Sequence, residues 1–354
     1  MPGNPIPWLS DINNQFIKNG YRVRGTTRDP EKHAWIKNVL ENTHGQGQFE
    51  LVAVPDMQAD GAFDDAVKGM HMILDFTSIH AASLSVIGVG VTAVVHTATT
   101  YSMDPNPHNV IPGTVAGVKN ALMAAAKEPT VKRFVLTSSS ASALIPRPNE
   151  EVTVTTDTWN EMIIKEAYRD PPYEPERAYP VYAASKTLAE KEAWRFVQEN
   201  NPGFVLNTVL PNLNFGKALN PAKQGHPSTS GMVAELFNGN PAPLAGLPAQ
   251  YFVDVHDTAI LHVAAAIHPE VNHERVFAFA EHINGDVILE VLRRLYTSRT
   301  FPNNFQGVKD LSVIVPRARA ESLLKDMGKS IWTSLEDSIR MNTEDIALLV
   351  PASS

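Results

Sequence analysis

Four short apolar runs constrain this chain more than any other feature: Phe49–Val54 (FELVAV), Thr92–Ala98 (TAVVHTA), Val131–Thr137 (VKRFVLT) and Phe204–Leu210 (FVLNTVL). Each is rich in β-branched or aromatic residues and too short for a buried helix, so each reads as a strand. Tyr21–Thr27 adds a strand with alternating character. Between them lie stretches of helical character: Asp11–Asn19 closed by Gly20, Glu31–Glu41, Phe63–Lys68, Val110–Lys127 and the segment around Tyr182. Strands alternating with helices predict an α/β fold, a doubly wound parallel sheet with helices on both faces.

The character changes near Asn212, where Gly and Pro rise through NLNFGKALNPAKQGHPSTS and NGNPAPLAGLPAQ. This predicts a main domain over 1–211 and a smaller lobe over 212–354 that covers the carboxyl edge of the sheet, where ligands of such folds bind. Two later helices, Gly285–Tyr296 and Arg317–Met327, belong to it, while 253–267 is expected to return to the main domain. Phe215, Met232, Leu236, Phe237 and Tyr251 suggest a mostly apolar pocket.

Composition narrows the chemistry. The 354 residues carry a net charge of −8 and no dense basic run, which argues against a nucleic-acid partner. There is no cysteine, so disulfides, thiolate nucleophiles and cysteine metal sites are excluded. No uninterrupted apolar run reaches about 18 residues, and the N-terminus lacks the basic and apolar regions of a secretory signal. A soluble, cytoplasmic protein acting on a small molecule is expected, with no membrane partner.

Tyr182 and Lys186, in YPVYAASKTLAEKEAWRFVQE, are spaced i, i+4 and so share one face of a helix. An ammonium beside a phenol favours its ionised form and makes the tyrosine a better proton donor near neutral pH. The spacing alone occurs by chance in many helices. Upstream, Ser138, Ser139 and Ser140 follow a strand, which presents hydroxyls at the sheet's carboxyl edge; an ordinary strand-end turn is the plainer reading. His96, inside an apolar strand, reads as a packed core residue.

Taken in order, the segments YRVRGTTRDP from Tyr21, Asp56-Met57, His96-Thr97-Ala98-Thr99, Lys132–Ser139, Tyr182–Lys186, Leu210-Pro211-Asn212 and Val253–Asp257 resemble an extended short-chain dehydrogenase/reductase. The branch is that of dihydroflavonol reductase and the fungal NADPH-dependent aldehyde and ketone reductases. The resemblance implies a Rossmann-like domain, a carbonyl substrate, and a monomer or homodimer. It implies that Ser139 donates to the substrate carbonyl, that Tyr182 supplies the proton, and that Lys186 lowers the tyrosine pKa and binds the nicotinamide ribose. On the cofactor side it points to Arg28, Lys32, Asp56, Met57, Thr97, Ala98, Thr99 and Pro211, together with Tyr182 and Lys186. An arginine at the end of the second strand suits a 2′-phosphate, so NADP(H) is the expected cofactor. The alternatives are an NAD-dependent epimerase or dehydratase of the same fold, and a non-catalytic dinucleotide-binding relative.

Two departures accompany the resemblance. Residues 1–9, with three prolines and one glycine, stand where the family has a strand and a glycine-rich phosphate loop. The first strand of the sheet is therefore expected to be missing or altered. Residues 70–90 form an apolar insert without a family counterpart.

Overall fold

The structure is a computed structural model, and it describes residues 7–68, 92–99 and 102–349. The insert at 70–90 and the first six residues lie outside that range. In chain order the elements are α1 (Pro7–Lys18), β1 (Val23–Thr27), α2 (Ala34–His44), β2 (Phe49–Ala53), β3 (Thr92–His96), α3 (Pro107–Lys127), β4 (Val131–Thr137), β5 (Thr153–Val154), α4 (Glu161–Ala167), α5 (Ala178–Asn200) and β6 (Val205–Pro211). The second half adds β7 (Leu213–Phe215), α6 (Pro221–Gln224), α7 (Thr229–Phe237), α8 (Ala242–Ala245), β8 (Gln250–Asp254), α9 (Val255–Ile267), β9 (Arg275–Ala278), β10 (Glu281–Ile283), α10 (Gly285–Leu295), β11 (Val313–Ile314), α11 (Arg317–Asp326) and α12 (Leu335–Leu349).

The strands β3-β4-β6-β9 form a parallel sheet, and β1 pairs in parallel with β2 in a second sheet. In the doubly wound order the chain's first strand lies between the second and fourth. Among the described residues no strand fills that place between β1 and β3, and the strands fall into two sheets there.

Period-two alternation on β4 sorts its side chains between two helical layers. Phe134 and Leu136 join α3 and α5 through Val118, Leu122, Ala189 and Ala193. Val135 faces the other way, into a core with Ile12 and Phe16 of α1 and Ala259 and Val263 of α9. A run of small residues lets α5 lie close to its neighbours, with Ala183, Ala184, Ala189 and Ala193 all buried. Gly20 ends α1 with φ +84, a left-handed conformation glycine adopts without strain.

Helix α9 packs on the main sheet beside α1, and β9 and α11 join it there as well. Elements beyond residue 267 thus also pack on the main sheet. The remaining lobe is built on β7, β8 and β10. Phe215, Leu236 and Phe237 are fully buried there among Leu289, Leu292 and Ile339, so they form the lobe's core and do not line an apolar pocket. Phe63–Lys68 is a series of turns, not a helix. Six residues are too few to offset helix nucleation, and Gly61 (φ +72) starts a turn in which Asp64 N donates to the Gly61 carbonyl. Among the described residues no helix is long and apolar enough to cross a membrane.

One strained contact yields a stability prediction. Asp11 of α1 is buried opposite Asp254, the N-cap of α9, and its Oδ2 has no hydrogen-bond partner among the described residues. Burial, then the neighbouring Asp254 charge, pushes the Asp11 carboxyl up to about 7. The folded state therefore holds the proton between the ordinary carboxylate range and pH 7 while the unfolded chain releases it, so stability falls as pH rises through that window. Asp11→Asn is expected to match wild type near pH 4 and exceed it at pH 8 by about 1–3 kcal/mol, read by denaturant titration at both pH values.

Candidate active site

β4 is an inner strand of the sheet, and it delivers Thr137 and the serine run to the sheet's carboxyl edge. The three hydroxyls are not equivalent. Ser138 is buried and donates to Glu190 at 2.6 Å, with the Ser142 hydroxyl 2.8 Å away. Ser140 and Ser142 are buried in a short 3-10 turn, Ser140–Ser142. Ser139 is half-buried in an extended conformation and caps that turn, its Oγ accepting from Ala141 N at 3.2 Å. An oxygen that accepts one bond keeps its own proton to donate. Ser139 is thus the half-buried hydroxyl of the run, and Ser138 is the one committed to Glu190.

Helix α5 is made of good helix formers and tolerates Pro180 in its first turn. Ala141 of the 3-10 turn packs against Val181, Ala183 and Ala184, which flank Tyr182. The Ser139 turn and Tyr182 are neighbours for that reason. Tyr182 is half-buried and its ring stacks on Tyr179, centroids 6.2 Å apart. One turn on, Lys186 is buried and its Nζ donates to the Thr137 carbonyl at 2.8 Å. Burial pushes this ammonium down to about 8, with Glu190 acting in the opposite direction.

Two histidines face the lysine, and both are neutral. His96 is packed between Phe63 and Phe134, and burial, then the Lys186 charge, lowers it to about 3. His262 is lowered by burial to about 4. Its Nδ1 lies 2.7 Å from the Thr258 carbonyl and so carries the proton, which leaves Nε2 to accept from Thr137 Oγ1 at 2.7 Å. Neither is placed to exchange protons near neutral pH.

The cofactor-side positions are spread along the edges of β1, β2, β3 and β6. Arg28 and Lys32 are exposed just beyond β1, where Asp29 Oδ1 accepts from Lys32 N. Asp56 is exposed and accepts from Gln58 N at 2.9 Å. The Met57 side chain is buried under α3, so close to Gly117 that a Cβ there would stand 3.2 Å from its sulfur. Asn120 of α3 clamps the loop by donating to the Met57 and Ala59 carbonyls at 3.1 and 2.9 Å. The Met57 side chain is therefore core, and only its backbone remains for a ligand. After β3, Thr97 is buried, Ala98 exposed and Thr99 half-buried. Thr99 Oγ1 is shielded from solvent yet has no protein partner among the described residues, which suits a ligand hydroxyl or phosphate oxygen. Pro211 ends β6 beside Ala278 of β9.

Sequence reasoning missed Glu190 and Arg275. Glu190 is fully buried and accepts from Ser138, Thr208 Oγ1 (2.8 Å) and Arg275 Nε (2.8 Å). The available signal was the continued i, i+4 series Tyr182, Lys186, Glu190 on one helix face.

The male sterility protein family, an NAD-binding one, matches residues 77–209. The chain is 38% identical over 335 residues to aldehyde reductase 2 of Sporidiobolus salmonicolor, covering 94% of this chain and 90% of that one. It is 40% identical over 339 residues to the ketoreductase adrE of Penicillium rubens, at 93% and 90% coverage. The solved structure of a yeast methylglyoxal/isovaleraldehyde reductase complexed with NADPH shares the fold, with a TM-score of 0.75 at 20% identity over 98% of this chain and 97% of that one. With a parallel sheet, a serine turn at the β4 edge and Tyr182 and Lys186 on the helix beside it, this chain belongs to the extended short-chain dehydrogenase/reductase family, in the branch of the fungal aldehyde reductases and ketoreductases.

Proposed function

We propose that the chain is an NADPH-dependent reductase of a small aldehyde or ketone. The observation that carries this reading is the convergence of the Ser139 turn, Tyr182 and Lys186 at the end of β4. Aldehyde reductase and ketoreductase relatives, and an NADPH-bound structural neighbour, support it. A dinucleotide held at this edge would supply the hydride for the carbonyl carbon. Ser139 donates its hydrogen bond to the carbonyl oxygen and holds it as negative charge develops. Tyr182 delivers the proton to the same oxygen. Lys186, charged below about pH 8, stabilises the phenolate left behind.

The cofactor end fits the same reading. Arg28 offers a cation beyond β1, and Thr99 offers beyond β3 a hydroxyl that has no partner among the described residues. Binding is tested by titrating the purified chain with NADPH and following nicotinamide fluorescence. Turnover is tested by NADPH oxidation against a panel of aldehydes and ketones. Saturable binding with turnover of at least one carbonyl is expected; binding without turnover of any would sink the reductase assignment. Arg28→Ala is expected to raise the KM for NADPH about 10- to 100-fold, the loss of a charge-assisted hydrogen bond, and to leave the KM for NADH unchanged.

A further inference from the structure

Glu190 sits in the interior where an apolar residue would fill the space at less cost, since a carboxylate there must recover its lost hydration from donors. It recovers it from four elements. Ser138 Oγ donates at 2.6 Å from the end of β4, Thr208 Oγ1 at 2.8 Å from β6, and Trp194 Nε1 at 3.4 Å from α5 itself. Arg275 donates through Nε at 2.8 Å and Nη2 at 3.3 Å from β9. Arg275 is itself immobilised. Its Nη1 donates to the Thr156 and Thr158 carbonyls, both at 2.7 Å, and its guanidinium lies 3.8 Å over the Trp159 ring.

Two of the carboxylate's relations lead to the active site. Ser138 precedes Ser139 and shares its buried hydrogen bonds with Ser142, so both ends of the 3-10 turn that Ser139 caps are tied to Glu190. Lys186 lies one helical turn before Glu190 on the same face. The groups facing Lys186 are Tyr182 and Glu190 on α5, His96 from β3 and His262 from α9, with Arg275 of β9 beyond the carboxylate. Both histidines are neutral. Among the described residues Glu190 is thus the anion that supports the Lys186 charge.

We infer that Glu190 is a positioning residue of this active site: through Ser138 it holds the turn that presents Ser139, and through space it sustains the charge on Lys186. This rests on the reductase reading above, and it goes beyond it by assigning a buried group that touches neither substrate nor cofactor.

The two arms are separable. Ser138→Ala cuts the link to the turn and leaves the ion pair in place. Glu190→Gln removes the charge. Glu190→Gln paired with Arg275→Met removes both charges, which guards against misfolding from an unpaired buried arginine. The measurements are kcat as a function of pH, NADPH affinity, and backbone hydrogen exchange over residues 138–144 without substrate. Ser138→Ala is expected to lower kcat about tenfold, one net hydrogen bond, with unchanged NADPH affinity, faster exchange in the turn and an unmoved alkaline limb. The charge-removing variants are expected to shift the alkaline limb to lower pH, because Lys186 loses its proton sooner. A Ser138→Ala protein with wild-type kcat and wild-type exchange overturns the turn arm. A limb that stays in place in both charge-removing variants overturns the electrostatic arm. If wild type reduces no carbonyl, the reductase reading fails alone, and the exchange measurement still decides whether Glu190 holds the turn.

Discussion

Tyr182→Phe is expected to lower kcat/KM for carbonyl reduction by about 10²–10⁴-fold, the usual worth of a positioned general acid. The change removes one oxygen and leaves the ring in its stack on Tyr179, so α5 and its buried alanine face keep their packing. Thermal stability should stay close to wild type, and steady-state kinetics beside a fluorescence titration with NADPH separates loss of proton transfer from loss of cofactor binding. A variant that keeps more than about a tenth of wild-type turnover would mean that another group delivers the proton, since no positioned acid is worth so little.

Ser139→Ala is expected to cost about 10²–10³-fold in kcat, the measured scale for deleting one donor to a developing oxyanion. It also deletes the acceptor for Ala141 N, a cap contact worth about 1 kcal/mol. Ser139→Thr retains both the hydroxyl and the cap and should recover most of the rate, whereas a purely structural serine would show its loss in melting temperature and not in kcat. Ser138→Ala provides the contrast: its proton is already donated to Glu190, so the expected loss is about tenfold.

The strands of the main sheet were legible because their apolar runs are short and β-branched, and burial on both faces leaves few alternatives. β3 and β4 appear at Thr92–His96 and Val131–Thr137. Phe63–Lys68 was not legible, because helical periodicity over six residues says little once a glycine turn precedes it. The same limit applied to Phe215, Leu236 and Phe237. Composition marks them as apolar, and it cannot say whether the lobe closes over a ligand or over its own helices.

By itself the sequence determined the alternating α/β architecture, the short strands of the main sheet, and the shared helix face of Tyr182 and Lys186. All three are local: they depend on residue types within a few positions of one another, where the periods of helix and strand apply. Only the tertiary structure decided that Ser138 is committed to Glu190, that Met57 is core, and that a buried carboxylate lies behind the site. Ser138 is occupied by a residue 52 positions away, and Glu190 meets Arg275 across 85. Such pairings depend on how layers stack and which donors desolvation forces together, and no spacing along the chain encodes them.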